Sequence, residues 1–194
     1  MTTVLEQPTA AQPVPAGAAP GTHPPATDAR ATLPWARSRR LALREFDAQD
    51  HDALIAMHQE PRLREYLVDD YPLEMSAVVR MFLRRMAHIY REYEGLGIWH
   101  ASRLDPQPGF VGWFNLMPIA ERPGEVEIGS RLLPHAWGGG LAFEGAELML
   151  DHAFDDLTLP RVWGICHPGN RAARAVLAAL GFTPLGLMLS LIHI

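Results

Sequence analysis

Three consecutive glycines at positions 138–140 form the stretch whose residue types and spacing best suit chemistry. The preceding segment, 125–133, alternates apolar and polar residues as a strand does, and from Leu141 onward apolar residues recur every three or four positions, as on one face of a helix. Glycine permits positive φ and leaves space beside the backbone, and the first N–H groups of a helix attract anions. The pattern is typical of a cradle for phosphate or diphosphate, although a plain tight connection would use the same residues.

This glycine turn differs from two common nucleotide-binding motifs. A Walker A loop has Lys followed by Ser or Thr after its last glycine, and Leu141 stands there instead. The dinucleotide-binding fingerprint needs the spacing G-x-G-x-x-G and an acidic residue that closes a strand about 20 residues further on, and neither is present. A phosphate-binding α/β protein with some other ligand is therefore an alternative at this point.

The composition restricts the class of protein. The 194 residues are 48% hydrophobic and 20% charged, which suits one globular domain with a substantial core. The formal net charge of −5 argues against nucleic-acid binding. Cys166 is the single cysteine, so no intrachain disulfide is expected and a cytoplasmic location fits. The sequence predicts no membrane span, no secretory signal and, from the spacing of its histidines, no metal site.

The chain divides into three regions by composition. Residues 1–38 hold seven of the 17 prolines and few large apolar side chains, so we predict a disordered tail from which only Trp35 packs on the domain. Residues 39–187 carry the periodic segments and are expected to form the domain. Residues 188–194 are an apolar run without a turn signal, which we interpret as a doubtful C-terminal tail, truncated or foreign.

The periodic segments are the elements that must position the glycine turn. Strands are predicted at 40–46, 98–104, 110–117, 125–133 and 161–166, and helices at about 50–59, 74–93 and 141–157. A last helix is expected to be capped by Asn170 and to end at Gly181. The three strands before the glycine turn are expected to form an antiparallel meander. Strict alternation along 110–117 places Val111 on the face of Trp113, and Phe110 on the opposite face.

This order of elements, with four passages of sequence, resembles the GCN5-related N-acetyltransferase (GNAT) superfamily and most of all its ribosomal-protein N-terminal acetyltransferases. The resemblance covers roughly 39–187, and the passages that carry it are 112–116, 126–134, 136–146 and 168–182. It implies an α/β (α+β) fold with a central mixed, mostly antiparallel sheet of six to seven strands, flanked by about four helices and splayed between strands four and five. The family normally has two strands after Phe182, so the seventh strand is expected to be missing or replaced.

The resemblance also implies acetyl-CoA as cosubstrate. The family's diphosphate loop, Gln/Arg-x-x-Gly-x-Gly/Ala, corresponds to residues 135–140, with both small positions kept and His at the first position. The residues implied to contact acetyl-CoA are Leu132, Leu133, His135, Trp137, Gly138, Gly139, Gly140, Leu141, Ala142, Asn170 and Ala173. For Asn170, a plain helix N-cap is an equally good interpretation.

The reaction implied by the resemblance is direct transfer of acetyl to a primary amine, on a protein N-terminus or a small molecule. Glu127 is the candidate base, acting directly or through water; alternatively, it holds neighbouring backbone or Arg131. Asn115 is the second candidate catalytic residue, with Trp113 and Ser130 as weaker candidates for the acceptor pocket.

The acid that protonates the departing thiolate is not evident. Relatives often have Ser where Ala173 stands, and alanine has no proton to give. His167, nearby in the sequence, is a weak candidate for the acid, and Cys166 is interpreted as a buried strand residue rather than an acetyl carrier. A catalytically weak or inactive acyl-CoA-binding module is therefore the alternative function. The expected partners are acetyl-CoA and an amine, without metal, nucleic acid or membrane, and a homodimer is an open alternative to a monomer.

Overall fold

The computed structural model describes residues 2–8, 35–65, 74–120 and 122–188. In these residues, eight strands form one sheet in the order β2-β3-β4-β5-β6-β7-β1-β8. Their bounds are β1 Thr2–Pro8, β2 Ala36–Arg37, β3 Leu41–Glu45, β4 Gly97–Arg103, β5 Gly109–Pro118, β6 Val126–Leu132, β7 Arg161–Cys166 and β8 Thr183–Met188. All neighbouring strands run antiparallel except β6 and β7, which are parallel. The predicted mixed, mostly antiparallel sheet and its meander are confirmed.

Five α-helices flank the sheet in the described residues. They are α1 His51–Gln59, α2 Pro61–Arg64, α3 Met75–Glu92, α4 Leu141–Asp151, which continues as a π-helical turn to Asp156, and α5 Arg171–Ala179. The end of α5 is as predicted: the N–H of Phe182 donates to the Leu177 carbonyl at 3.0 Å and that of Gly181 to the Ala178 carbonyl at 3.1 Å. With Gly181 at φ +84°, this is a Schellman ending.

The helices cover opposite faces of the sheet and make two separate apolar cores. On one face, α4 and α5 pack over Phe114, Leu116 and Ile128. Gly145 lets α4 approach β5 closely, because a Cβ there would overlap the Phe114 ring. On the other face, α1 and α3 pack over a smaller cluster of buried residues: Phe46, Leu54 and Val79. The loop that follows β6 therefore begins at the end of a strand in a sheet that has helices packed on both faces.

The alternation predicted for β5 is wrong at its start. Val111 packs in the core under α4, and Phe110 packs with Trp113 in the cluster under α1 and α3. The register of β4 against β5 shifts between Ala101, which is opposite Gly112, and Ser102, which is opposite Phe110, so Val111 has no partner residue on β4. Gly112 has φ +135° at this point, and a Cβ on it would overlap the Arg131 carbonyl. This bulge reverses the faces of the residues before it.

The predicted tail is wrong for two short segments. Residues 2–8 form β1, which pairs antiparallel with both β7 and β8, and Ala36–Arg37 form β2. The expected packing of Trp35 is confirmed, since its ring stacks on Trp99 with centroids 4.5 Å apart. The β-forming residues Thr2 to Leu5 favour a strand, but the proline-rich composition of the whole segment concealed them. Residues 9–34 and the rest of the predicted C-terminal tail, 189–194, lie outside the described residues.

Strand β1 lies between β7 and β8, so β8 has no direct ladder with β7. One strand, β8, follows Phe182 in the described chain. The place beside β7 is thus taken by an N-terminal strand. No helix among the described residues has the length and apolar character required to cross a membrane.

Candidate functional site

The strands β6 and β7 separate soon after they meet. The ladder between them consists of Glu127 opposite Trp163 and Ile128 opposite Gly164, although β6 continues to Leu132 and β7 to Cys166. The splay predicted between these two strands is therefore confirmed. Beyond the last pair, no ladder joins the described parts of these two strands, and an extended ligand can bind in such a gap as an added strand does.

The chain leaves β6 through a tightly bonded turn. The N–H of Leu133 donates to the Val111 carbonyl at 2.8 Å, and its carbonyl accepts from the N–H of Ala136 at 2.8 Å. The indole Nε1 of Trp137 donates to the Leu132 carbonyl at 2.6 Å. The backbone of Leu133 is thus engaged within the protein, and Trp137 is fastened to the end of the strand.

The three glycines do not have the same backbone requirement. Gly138 and Gly140 both have φ +76°, a left-handed conformation that side chains rarely adopt. Gly139 has no such φ, and a Cβ on it would meet nothing within 4 Å. The fold therefore needs glycine at 138 and 140, whereas the missing side chain at 139 leaves free space on the outside of the loop.

Helix α4 begins directly at this loop. Gly140 is its N-cap residue, and its carbonyl accepts the first helical hydrogen bond from the N–H of Glu144 at 3.0 Å. The N–H groups of the first turn have no acceptor within the helix, and the helix dipole makes this end positive. The open surroundings of Gly139 and these donors fit a diphosphate group, so the predicted cradle is consistent with the geometry.

Two charged residues that the sequence analysis did not single out hold this loop. Arg40, just before β3, donates from Nη1 to the Gly139 carbonyl at 2.7 Å and from Nε to Glu144 Oε2 at 2.6 Å. Glu144 Oε1 accepts from Ser38 Oγ at 2.5 Å and from the N–H of Arg40 at 2.9 Å. Although partial burial alone would raise the pKa of Glu144, these hydrogen bonds hold it below its ordinary value. The signal available in the sequence was a carboxylate in the first turn of α4.

Arg62 is a further cation beside the loop that the sequence analysis missed. The Trp137 side chain is 49% exposed, and the Arg62 guanidinium lies over its ring, 5.8 Å from the centroid. Arg62 also donates to Glu60 Oε1 at 2.9 Å. The short helix α2 therefore contacts the outer side of the loop. His135, predicted to contact phosphate, is exposed in the turn before the glycines.

Asn170 caps α5 as predicted. Its Oδ1 accepts from the N–H of Ala173 at 3.0 Å, which leaves the side-chain amide NH₂ available to donate to a ligand. Ala173 is half-buried in the first turn of α5, and its methyl group offers no proton. The cap and a ligand contact by Asn170 are compatible with each other.

The two candidate catalytic residues lie on the sheet face opposite α4. Asn115 is paired with Gly129 across β5 and β6, and only 6% of its surface is exposed. Gly129 is needed there, because a Cβ would lie 2.5 Å from Asn115 Oδ1. Glu127 is half-buried in the first of the two residue pairs that join β6 and β7, one residue before the strands separate. The structure thus brings Glu127 to the apex of the splay and Asn115 one strand away.

Tryptophans flank these residues on the same face. The Arg131 guanidinium lies over the Trp113 ring at 5.2 Å, and the Arg122 guanidinium lies over the Trp163 ring at 4.7 Å. The buried indole N–H groups of both tryptophans have no hydrogen-bond partner in the described structure. Trp163 pairs with Glu127 where β6 and β7 meet, whereas Trp113 lies on β5 opposite Arg131, which is further along β6.

Cys166 ends β7, and His167 follows it in the turn before α5. Burial raises the pKa of the Cys166 thiol, so the thiol is a poor nucleophile. The N–H of Gly169 donates to His167 Nδ1 at 3.1 Å, so Nε2 is the ring nitrogen that can donate. Among the described residues, no group of three or more His, Cys, Asp or Glu is placed to hold a metal ion.

Comparison with known proteins agrees with this geometry. Residues 40–183 match the acetyltransferase (GNAT) domain. The uncharacterised N-acetyltransferase YoaA of Bacillus subtilis is 24% identical over 156 residues, which cover 80% of this chain and 86% of that protein.

Two solved structures share the fold. An acetyltransferase from Agrobacterium tumefaciens superimposes with a TM-score of 0.66 at 23% identity, over 87% of this chain and 94% of that one. RimJ of Mycobacterium smegmatis, in complex with CoA-disulfide, superimposes with a TM-score of 0.64 at 22% identity, over 76% of this chain and 72% of that one. The family match extends from the residue that holds the glycine loop, Arg40, to the start of β8, and thus includes the splayed strands. The chain belongs to the GNAT acetyltransferase family and is an acetyl-CoA-dependent N-acyltransferase.

Proposed function

We propose that the protein transfers acetyl from acetyl-CoA directly to a primary amine while both substrates lie on the splayed sheet. The N–H groups of residues 138–142 bind the diphosphate. The pantetheine arm lies in the gap between β6 and β7, where Asn170 donates to it from its side-chain amide. The thioester carbonyl then lies at the apex, beside Glu127.

The chemistry assigned to the apex is a simple acyl exchange. The amine nitrogen attacks the thioester carbonyl, an N–C bond forms, and the C–S bond breaks. The Glu127 carboxylate takes one proton from the amine, directly or through water. This proton then passes through water to the departing thiolate, which restores the carboxylate. Because both substrates share one groove, proximity supplies much of the rate, up to about 7–11 kcal/mol in favourable cases.

The observation that carries this proposal is the continuity of the splay with the glycine loop. Strand β6 forms one wall of the gap, and the same chain segment continues into the loop and then into α4. An extended arm in the gap would therefore end with its anionic group at the helix N-terminus. Few ligands other than an acyl-CoA combine an extended amide-bearing arm with a diphosphate in this order.

Binding of acetyl-CoA to the wild-type protein and to Gly138→Glu, measured by calorimetry, tests the cosubstrate site. The glutamate adds bulk and negative charge to the loop, and we expect loss of binding. Gly124→Glu is the matched control, because Gly124 also has positive φ, +85°, with nothing within 4 Å of a Cβ. This control should bind as the wild type does. Absence of binding by the wild-type protein would contradict the proposal.

A second candidate function is a weak or inactive acyl-CoA-binding module, and Ala173 is the observation that favours it. Turnover separates the two functions: free thiol release from acetyl-CoA is followed with a panel of amines. The panel contains peptides with free N-termini and small-molecule amines such as amino sugars and amino acids, so a positive result also identifies the acceptor class. Tight binding without turnover of any amine would favour the binding module.

A further inference from the structure

We propose that Arg40, held by Glu144, is a positioning residue that fixes the orientation of the Gly139–Gly140 peptide and thereby the donors of the diphosphate cradle. This inference rests on the proposed function of the loop. It assigns a role in cosubstrate binding to a residue that is 98 positions away from Gly138 in the sequence and belongs to another element.

The guanidinium of Arg40 is held on two sides. Nε donates to Glu144 Oε2 at 2.6 Å, and Nη1 donates to the Gly139 carbonyl at 2.7 Å. The third nitrogen, Nη2, lies 3.5 Å from the place of a Cβ on Gly140. The planar group thus connects the helix start and the loop in one fixed geometry, which a lysine amine could not reproduce.

Holding one carbonyl fixes a donor on the other side of the loop. In a trans peptide, the carbonyl of one residue and the N–H of the next point in opposite directions. Because the Gly139 carbonyl points toward Arg40, the N–H of Gly140 points away from it. A peptide between two glycines has few steric limits, so without Arg40 it can rotate and turn its carbonyl oxygen toward the bound phosphate.

Glu144 keeps Arg40 directed at the loop. The carboxylate accepts from Ser38 Oγ, from the N–H of Arg40 and from the guanidinium. Only 18% of its side chain is exposed, and it lies in the first turn of α4. The anion that balances Arg40 is therefore bound to the scaffold, and the guanidinium is left to hold the carbonyl.

The test compares two cosubstrates that differ in the group the loop binds. Steady-state kinetics are measured with acetyl-CoA and with acetyl-pantetheine, which lacks the diphosphate and the nucleoside. The variants are Arg40→Gln, Arg40→Lys and, as matched control, Arg39→Gln, whose arginine is exposed next to Arg40. We expect the KM for acetyl-CoA to rise about 10–100-fold in both Arg40 variants, because a charge-assisted contact is lost. The kcat and the KM for acetyl-pantetheine should stay within about twofold, and Arg39→Gln should match the wild type.

Each other outcome has a defined meaning. Equal loss with both cosubstrates would show a general role in the scaffold and would overturn the proposal, as would wild-type kinetics of Arg40→Lys. If Arg40→Gln does not fold, Ser38→Ala replaces it, and a smaller rise in the same KM is expected because Glu144 loses one of its donors. If the wild type binds no acetyl-CoA, the proposed function fails and this inference with it; if the wild type binds and the Arg40 variants are unchanged, this inference alone fails.

Discussion

Arg40 lies just before strand β3 and Arg44 near its end, and the carboxylates that bind them most closely, Glu144 and Asp50, lie on different sides of the sheet. The Arg40–Glu144 pair is at the rim beside α4, with side chains 30% and 18% exposed. The Arg44–Asp50 pair lies on the face of α1 and α3, with two hydrogen bonds of 2.8 and 2.6 Å and only 6% of the Asp50 side chain exposed. His100 Nε2 is 3.6 Å from the same carboxylate.

The two pairs differ in whether water can solvate a charge that has lost its partner. Water can reach the Arg40–Glu144 pair, so breaking this ion pair changes the local geometry more than the free energy of unfolding. In the inner pair the Arg44 side chain is 23% exposed, but its partner Asp50 is buried. Asp50 also accepts from the N–H of Asp47 at 2.9 Å in a capping box. Removal of Arg44 would leave a buried carboxylate without its counter-ion. We therefore expect the rim pair to serve binding and the inner pair to serve stability.

The largest effect should come from Arg44→Met. We expect it to lower the free energy of unfolding by about 3 kcal/mol, because Asp50 keeps its charge in a buried site. Arg40→Gln, the corresponding change at the rim, should cost no more than about 1 kcal/mol. Urea unfolding of both variants measures the difference, and equal losses would contradict the distinction between the two pairs.

The inner pair should also make stability depend on pH. Burial, and then the nearby Arg44, lower the pKa of His100 from 6.5 to about 4. The unfolded chain therefore binds a proton that the folded protein does not bind, so stability is complete above pH 6.5 and falls as the pH drops toward 4. The loss across this window should be roughly 3 kcal/mol. The pKa of Asp50 is also lowered: burial opposes this, but the hydrogen bond from Arg44 prevails, so a further loss is expected below about pH 4.

Urea midpoints between pH 7.5 and 4.5 measure this dependence. The matched variant is His100→Gln, which removes the titrating group and should flatten the curve above pH 4.5. A wild-type midpoint that does not change between pH 7 and pH 5 would contradict the assignment to His100.

The smallest expected effect is the difference in stability between substitutions at Gly138 and at Gly139 in the glycine loop. Gly138→Ala forces a side chain into φ +76° and should cost about 1–2 kcal/mol of stability. Gly139→Ala should leave stability within about 0.5 kcal/mol, because its Cβ meets nothing within 4 Å, yet it should weaken acetyl-CoA binding by occupying ligand space. Thermal unfolding and calorimetry together test this, and unchanged binding by Gly139→Ala would show that the ligand does not approach there.

Local patterns were predicted well, since the groups that make them are neighbours in the chain. The Schellman ending at Gly181, the cap at Asn170 and the glycine turn each depend on residues within about six positions of one another. The bulge at Gly112 was not predicted, because its cause is the partner strand: the Arg131 carbonyl lies where a Cβ would be. Strand β1 was missed for the same reason, since its partners β7 and β8 are more than 150 residues away.

The sequence by itself determined most of the elements from β3 to α5, the family and the glycine turn, because periodicity, caps and the backbone freedom of glycine are properties of short segments. Only the tertiary structure decided which residues hold that turn and which lie where β6 and β7 separate. The hydrogen bond between Arg40 and Glu144 spans 104 positions, and the pair of Glu127 with Trp163 joins two strands that then diverge. Such contacts depend on how the sheet twists and pairs over its whole width, which no short segment specifies.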